Sequence, residues 1–207
     1  MEFVHFPDIE GFYNVVKFAK AYPYLIPGLI TYRGKIKLHG TNAAVRIVNG
    51  EIGAQSRTQI ITPTSDNAGF AKWVESHREY WLNLGLDNCT LYGEWCGPGI
   101  MKGTAINQIP KKVFAVFAIH FGTAQMKDLD VFLSEPKDIN RLLGNRPDDV
   151  HVLPWHGEAF TVDFTNEANL RKTAEKLNSA VEEIEPCDPW VKNTFGIEGT
   201  AEGIVYY

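Results

Sequence analysis

The sequence predicts an α+β fold in which mixed, mainly antiparallel sheets are flanked by helices. Short segments of β-branched or alternating residues recur between turn residues, which is typical of strands. Two longer segments, 66–84 and 166–184, instead repeat apolar residues at helical spacing. With 207 residues, 44% of them hydrophobic, the chain can bury a sizeable core, and we expect a single domain.

The first elements are a short helix and two strands. The helix is predicted within Gly11–Ala21 and places on one face Phe12, Val15, Val16 and Ala19. Ile30–Tyr32 and Ala43–Val48 alternate in polarity, which predicts two strands joined as a hairpin by a tight connection at His39-Gly40. Lys37 then lies at a strand end, just before a glycine turn.

A third strand is predicted within Glu51–Ile61, and it carries Arg57 near its end. The helix Asp66–Leu84 follows, with Ser65 or Asp66 as its cap and Gly85 as its stop. Its apolar stripe is predicted to be core and consists of Phe70, Trp73, Val74, His77, Tyr80, Trp81 and Leu84.

Four strands and two helices are predicted in the second half of the chain, including a short helix at Asp138–Leu143 closed by Gly144 and a short strand at Val150–Leu153. Cys89–Trp95 reads as a strand that carries Glu94 into a glycine-rich loop, and Val113–Phe121 is apolar enough to be buried on both faces. The helix Asn166–Ile184 is amphipathic, with Thr165 or Asn166 as cap. At the end of the chain, Glu202 and Gly203 lead into a short strand.

Composition excludes several classes of protein. A net charge of −5 argues against a surface that grips nucleic acid over its whole extent, although a local basic groove is compatible with it. The three cysteines form no CxxC pair, so neither a disulfide framework nor structural zinc is indicated. No window approaches the roughly 20 apolar residues of a membrane span, and we expect a soluble, intracellular (cytoplasmic) protein.

Lys37 is placed where a nucleophile would be useful. A strand fixes its Cα, and Gly40 lets the backbone or a ligand approach closely. An amine attacks only when neutral, which requires desolvation or neighbouring cations. Arg33, Lys35 and Arg46 lie nearby in the sequence, on faces that the sequence does not define. Taken alone, the segment fits an ordinary solvated lysine better than a nucleophile.

A resemblance that extends over nearly the whole chain favours the nucleophile. Lys37-Leu38-His39-Gly40-Thr41-Asn42 resembles the nucleotidyl-acceptor motif of covalent nucleotidyltransferases, in the KxHGTN form typical of the RNA ligase 2 group of ATP-dependent RNA ligases. Four further segments resemble family motifs in the expected order: Ser56-Arg57-Thr58, Leu91–Ile100, Val113–Ile119 and Ala201–Val205.

The resemblance implies a nucleotidyltransferase (ATP-grasp-like) domain with the nucleotide between its sheets. It implies that Lys37 attacks ATP to form lysyl-AMP, which then activates the 5′-phosphate of nicked or broken RNA ends for joining to a 3′-hydroxyl. The remaining implied roles are phosphate-side contacts at His39, Gly40 and Asn42, a phosphate or ribose contact at Arg57, a ribose acceptor at Glu94, a base platform at Phe117 and a Mg²⁺-linked carboxylate at Glu202.

The sequence departs from the family pattern in two places. Ala118 stands where an acidic residue often follows the aromatic platform, and the final KxK motif does not follow Glu202. We therefore expect residues 1–207 to form a single adenylyltransferase domain that lacks its C-terminal end and modifies itself weakly. Two alternatives remain: a nucleotide- or RNA-end-binding module without turnover, and transfer to another acceptor, such as capping with GTP. The oligomeric state is not predicted.

Overall fold

The computed structural model describes residues 1–122 and 131–207. The chain divides into two compact units: the first contains Met1–Phe6 and Leu38–Pro154, and the second contains Pro7–Lys37 and Trp155–Tyr207. The predicted α+β class is confirmed, since antiparallel strands dominate and helices flank them. The prediction of a single adenylyltransferase domain over 1–207 stays a prediction.

The described residues form six α-helices and ten strands. The helices are α1 (Phe12–Ala21), α2 (Phe70–Ser76), α3 (Arg78–Asn83), α4 (Pro136–Leu143), α5 (Glu167–Ile184) and α6 (Pro189–Phe195). The strands are β1 (Leu29–Lys37), β2 (Thr41–Val48), β3 (Glu51–Ser56), β4 (Ile60–Ile61), β5 (Cys89–Cys96), β6 (Val113–Phe121), β7 (Val131–Leu133), β8 (Val150–Val152), β9 (His156–Asp163) and β10 (Gly203–Tyr206). Within these ranges no helix combines the length and apolarity needed to cross a bilayer.

The first unit is built on a seven-stranded sheet in the order β4-β3-β2-β5-β6-β7, with β8 also paired to β6. The β6–β8 pairing is parallel, whereas the other pairings in this sheet are antiparallel. The strand β6 has the predicted bounds Val113–Phe121, and its residues are buried as far as His120. Its nearly unbroken apolar run is explained by this central position, which covers both of its faces.

The helix predicted at 66–84 begins only at Phe70, with Gly69 and not Ser65 or Asp66 at the cap position, and it is divided at His77 into α2 and α3. The predicted stripe does reach the core, where Phe70, Val74 and Trp81 are buried. At the break, the Nδ1 atom of His77 lies 2.9 Å from the carbonyl oxygen of Trp73, and its Nε2 atom lies 3.3 Å from a carboxylate oxygen of Asp149. The histidine ring therefore competes with backbone N–H groups for the Trp73 carbonyl in the preceding turn of the helix.

The second unit contains a three-stranded antiparallel sheet in the order β10-β1-β9. The predicted apolar face of α1 packs in a hydrophobic cluster with Val162, Phe164 and Leu170. The helix α5 begins after Asn166, whose side chain accepts a hydrogen bond from the Asn169 backbone N–H, as a cap residue does. The predicted helix at 166–184 is thus confirmed almost to the residue.

The predicted hairpin between β1 and β2 is wrong. The strand β1 pairs with β9 and β10, whereas β2 pairs with β3 and β5. The segment Leu38–Gly40 therefore connects strands of two different sheets. Local polarity patterns indicate strands but do not show which partners they take, and the partners of β1 lie more than a hundred residues further along the chain.

Candidate functional site

Lys37 and Glu202 are brought together in the second unit. Lys37 is the last residue of β1 and is paired with Gly203, the first residue of β10. Its Nζ atom forms an ion pair with a carboxylate oxygen of Glu202, although the two residues are 165 positions apart in the sequence. The Lys37 side chain is 42% exposed and that of Glu202 is 25% exposed. The amine is therefore accessible, and a carboxylate orients it.

A second lysine on β1 is almost fully buried. Lys35 is 1% exposed, and its Nζ atom lies 4.6 Å from the ring centroid of Trp155 and 5.3 Å from that of Tyr207. The Cζ atom of Arg33 also lies over Trp155, at 4.8 Å. Such contacts stabilise a cation that has lost part of its water. Because residues two positions apart share a face of a strand, Lys35 and Lys37 are on the same side of β1.

Arg46 is also close to Lys37 in the sequence, but it belongs to the first unit. It is 2% exposed and donates hydrogen bonds to the Thr90 hydroxyl, at 3.0 Å, and to the Gly122 carbonyl, at 3.2 Å. Burial lowers the pKa of the Arg46 guanidinium, and the nearby Cys89 acts in the opposite direction. These contacts support the sheet, so we assign Arg46 a structural role.

Gly40 and Glu94 meet in the first unit at very short range. The Gly40 backbone N–H donates to a carboxylate oxygen of Glu94 at 3.1 Å. A Cβ atom at Gly40 would lie 2.4 Å from the Trp95 carbonyl oxygen and 2.7 Å from the Cys96 Cβ atom. Only glycine therefore fits this approach. The backbone of the motif Lys37–Asn42 thus holds the Glu94 carboxylate in place through the Gly40 N–H.

The neighbouring residues of the motif are held by side-chain amides. Asn42 lies opposite Glu94 in the β2–β5 pairing, so the two share a face of the sheet. The His39 carbonyl accepts a hydrogen bond from Asn107 at 3.0 Å, and the Thr41 hydroxyl accepts one from Asn67, also at 3.0 Å. The sequence analysis missed both of these amides, because nothing local to them indicates a partner so far along the chain.

Phe117 lies at an irregularity of β6. Tyr92 pairs with Ala118 while Gly93 pairs with Val116, which makes Phe117 the extra residue of a β-bulge. Bulges redirect a side chain and are frequent beside functional sites. Phe117 is 8% exposed, so its protein neighbours determine the orientation of its ring. Ala118, the departure from the family pattern, is buried at 1%.

Arg57 lies in the bend between β3 and β4 and is exposed. The predicted third strand is therefore two strands, β3 and β4, and Arg57 is in the link between them. The structure thus groups Gly40, Asn42 and Glu94 in the first unit, and Lys37 with Glu202 in the second.

A comparison with known families decides which family the chain represents. The profile of a family described as RNA ligase matches residues 31–207, which include all of the motif residues. The chain belongs to the RNA ligase family. No curated protein sequence matches it.

Solved structures of a Naegleria gruberi RNA ligase resemble this RNA ligase family member in fold. A variant without ligand matches with a TM-score of 0.63 and 18% identity, covering 97% of this chain and 51% of the other. A variant with ATP and manganese matches with a TM-score of 0.63 and 17% identity, covering 98% and 52%. The ligase with pyrophosphate matches with a TM-score of 0.60 and 18% identity. The chain thus spans about half the length of these ligases.

Proposed function

We propose that this chain carries the nucleotidyltransferase part of an ATP-dependent RNA ligase of the RNA ligase 2 group. The ion pair between Lys37 and Glu202 is the main support. It joins a residue of the first motif to a residue of the last one, and the Lys37 amine is accessible. The KxHGTN form of the segment that starts at Lys37 supports the subgroup. The partners are the 5′-phosphate and 3′-hydroxyl ends of nicked or broken RNA.

The proposed reaction begins with Lys37. Its neutral amine attacks the α-phosphorus of ATP, so that an N–P bond forms, the bond to the pyrophosphate oxygen breaks, and the nitrogen loses a proton. The AMP group then moves from Lys37 to the 5′-phosphate of an RNA end. A 3′-hydroxyl finally displaces AMP and forms the phosphodiester bond. Contact with Glu202 orients the amine before the first step.

The residues of the first unit supply nucleotide contacts in this proposal. The Glu94 carboxylate, which lies beside the Gly40 N–H, accepts a hydrogen bond from a ribose hydroxyl, and Asn42 on the same face contacts the phosphate side together with His39. The guanidinium of Arg57 is suited to phosphate because its planar fork binds two oxygens at once. Phe117 provides a flat ring for the adenine base.

A magnesium ion fits this proposal with Glu202 as its protein carboxylate. Among residues 1–122 and 131–207, no group of three or more His, Cys, Asp or Glu side chains could hold a metal alone. A single carboxylate nevertheless suits Mg²⁺, which keeps several waters and takes its other oxygen ligands from substrate phosphates. When bound, the ion would neutralise charge on the phosphate oxygens.

A second candidate function is nucleotide or RNA-end binding without turnover. The observation in its favour is the same ion pair, because an ammonium group held by Glu202 binds phosphate without attacking it. ATP binding in the absence of any covalent product would select this function.

Label transfer distinguishes the two functions. The chain is incubated with Mg²⁺ and ATP labelled on either the α- or the γ-phosphate, and the protein is then denatured and examined for label. The ligase proposal predicts a small amount of label from α-labelled ATP and none from γ-labelled ATP. It also predicts release of the label as ATP on addition of pyrophosphate, and its transfer to nicked RNA that carries a 5′-phosphate. Label from the γ-position would contradict the proposed chemistry.

A further inference from the structure

The first six residues run along the sheet of the first unit and are held there by Val4. The Val4 backbone N–H donates to the Gln55 side-chain oxygen at 3.0 Å, and the Gln55 amide donates back to the Val4 carbonyl at 3.1 Å. The Tyr92 hydroxyl donates to the same carbonyl at 2.7 Å. Three hydrogen bonds at one residue fix this segment to β3 and β5.

Two residues later, the ring of Phe6 lies at the centre of an aromatic cluster. Its centroid is 5.0 Å from that of Tyr92, 5.0 Å from that of Phe117 and 6.1 Å from that of Phe132. The planes of Phe6 and Phe117 are inclined by 70°, which is the edge-to-face arrangement that aromatic pairs favour. Phe6 therefore links the N-terminal segment to β5, β6 and β7.

This contact matters because Phe117 is at the bulge. As the extra residue opposite the step from Tyr92 to Gly93, it lies outside the regular ladder. The sheet alone thus constrains the direction of its ring less than it constrains the neighbouring residues. Packing against Phe6, which is itself fixed through Val4, supplies that constraint.

We propose that Phe6 is a positioning residue for the nucleotide base. By packing against Phe117, it fixes the ring on which the base stacks, and the segment Met1–Phe6 is then part of the nucleotide site. The inference rests on the proposed function, in which Phe117 is the base platform. Phe6 acts through Phe117 and makes no contact with the reacting atoms.

The test compares a nucleotide with a base-free probe. Calorimetric titration measures the affinity of the chain and of Phe6→Ala, Phe6→Tyr and Phe3→Ala for ATP and for inorganic tripolyphosphate. Phe3→Ala is the matched control, since it removes a ring from the same segment whose ring contact is with His5, at 6.2 Å. Because Phe6→Ala loses part of the stacking energy between the base and Phe117, we expect it to bind ATP about 5- to 10-fold more weakly. Tripolyphosphate affinity stays unchanged, and Phe6→Tyr and Phe3→Ala bind ATP like the parent.

Other results overturn the inference. Equal loss of ATP and tripolyphosphate affinity in Phe6→Ala would show a general structural role, and ATP affinity within twofold of the parent would show no role. Tighter ATP binding would show that the Phe6 ring occupies space that the base needs. If Phe6→Ala does not fold, Phe6→Leu keeps most of the volume without the ring and is judged by the same criteria. Failure of the parent to bind ATP would instead refute the proposed function.

Discussion

Replacing Gly40 with alanine tests the close approach between the lysine motif and β5. The added Cβ atom would lie 2.4 Å from the Trp95 carbonyl oxygen and 2.7 Å from the Cys96 Cβ atom. Both neighbours are part of β5, which is paired with β2 on one side and β6 on the other and cannot easily move. The connection at residue 40 must therefore shift away from Glu94.

The expected cost follows from these contacts. Overpacking of a well-packed site costs about 1–3 kcal/mol. A shift that breaks the bond between the Gly40 N–H and the Glu94 carboxylate adds about 1.5–3 kcal/mol. We expect Gly40→Ala to lower the free energy of unfolding by about 2.5–6 kcal/mol. For a chain of this size, that corresponds to a melting temperature lower by roughly 5–24 °C.

Thermal and urea unfolding followed by circular dichroism measure this cost. Gly11→Ala is the matched control, because Gly11 has a φ of −68° and no atom within 4 Å of its would-be Cβ. It should melt within about 2 °C of the parent, since the N-cap preference for glycine over alanine is offset by the lower conformational entropy of the unfolded alanine variant. If Gly40→Ala melted as high as Gly11→Ala, the close approach at Gly40 would not exist in solution.

Three further predictions concern Glu202, two cysteines and Asp188. Glu202→Gln weakens the orientation of the Lys37 amine and should slow formation of the AMP adduct about 10- to 100-fold, measured by intact mass; an unchanged rate would contradict this. Burial raises the pKa of the Cys89 thiol to about 12, so iodoacetamide at about pH 8 should label half-buried Cys187 in the native chain and Cys89 only after denaturation. Burial also raises the pKa of Asp188, although the N–H groups that it caps act against this. The folded chain therefore retains a proton that the unfolded chain releases, and stability should fall as the pH rises from the usual carboxyl pKa to the raised one. Melting curves over this range should show that Asp188→Asn, which can keep the cap, lacks this decline; an equal decline in both would refute the assignment.

The sequence predicted those elements whose signals are local. The apolar run Val113–Phe121 and the amphipathic helix capped by Asn166 have almost the predicted bounds. The hairpin at His39-Gly40 was predicted wrongly, since strand partners are chosen by packing over long sequence distances. At the break, His77 lies beside Asp149, which is far away in the sequence and outside any helical period.

In the candidate site, too, local motifs were predicted from the sequence, whereas contacts between distant residues were not. Motif resemblance identified Lys37 and Glu202, and the structure places them in one ion pair. The sequence indicated that Gly40 permits close approach, but it did not reveal that Glu94 is the group that approaches. Phe6 was missed because an aromatic residue near a chain end carries no pattern of its own. The roles of the site residues stay predictions until they are measured.

Intact-mass spectrometry after incubation with ATP and Mg²⁺ tests the central claim most directly. The parent chain is compared with Lys37→Ala and Lys37→Arg, and the modified peptide is sequenced. The account predicts that a fraction of the parent gains the mass of one AMP group, on the peptide that contains Lys37, and that neither variant does. An adduct of the same size on Lys37→Ala, or a parent that binds ATP and never gains mass, would contradict it.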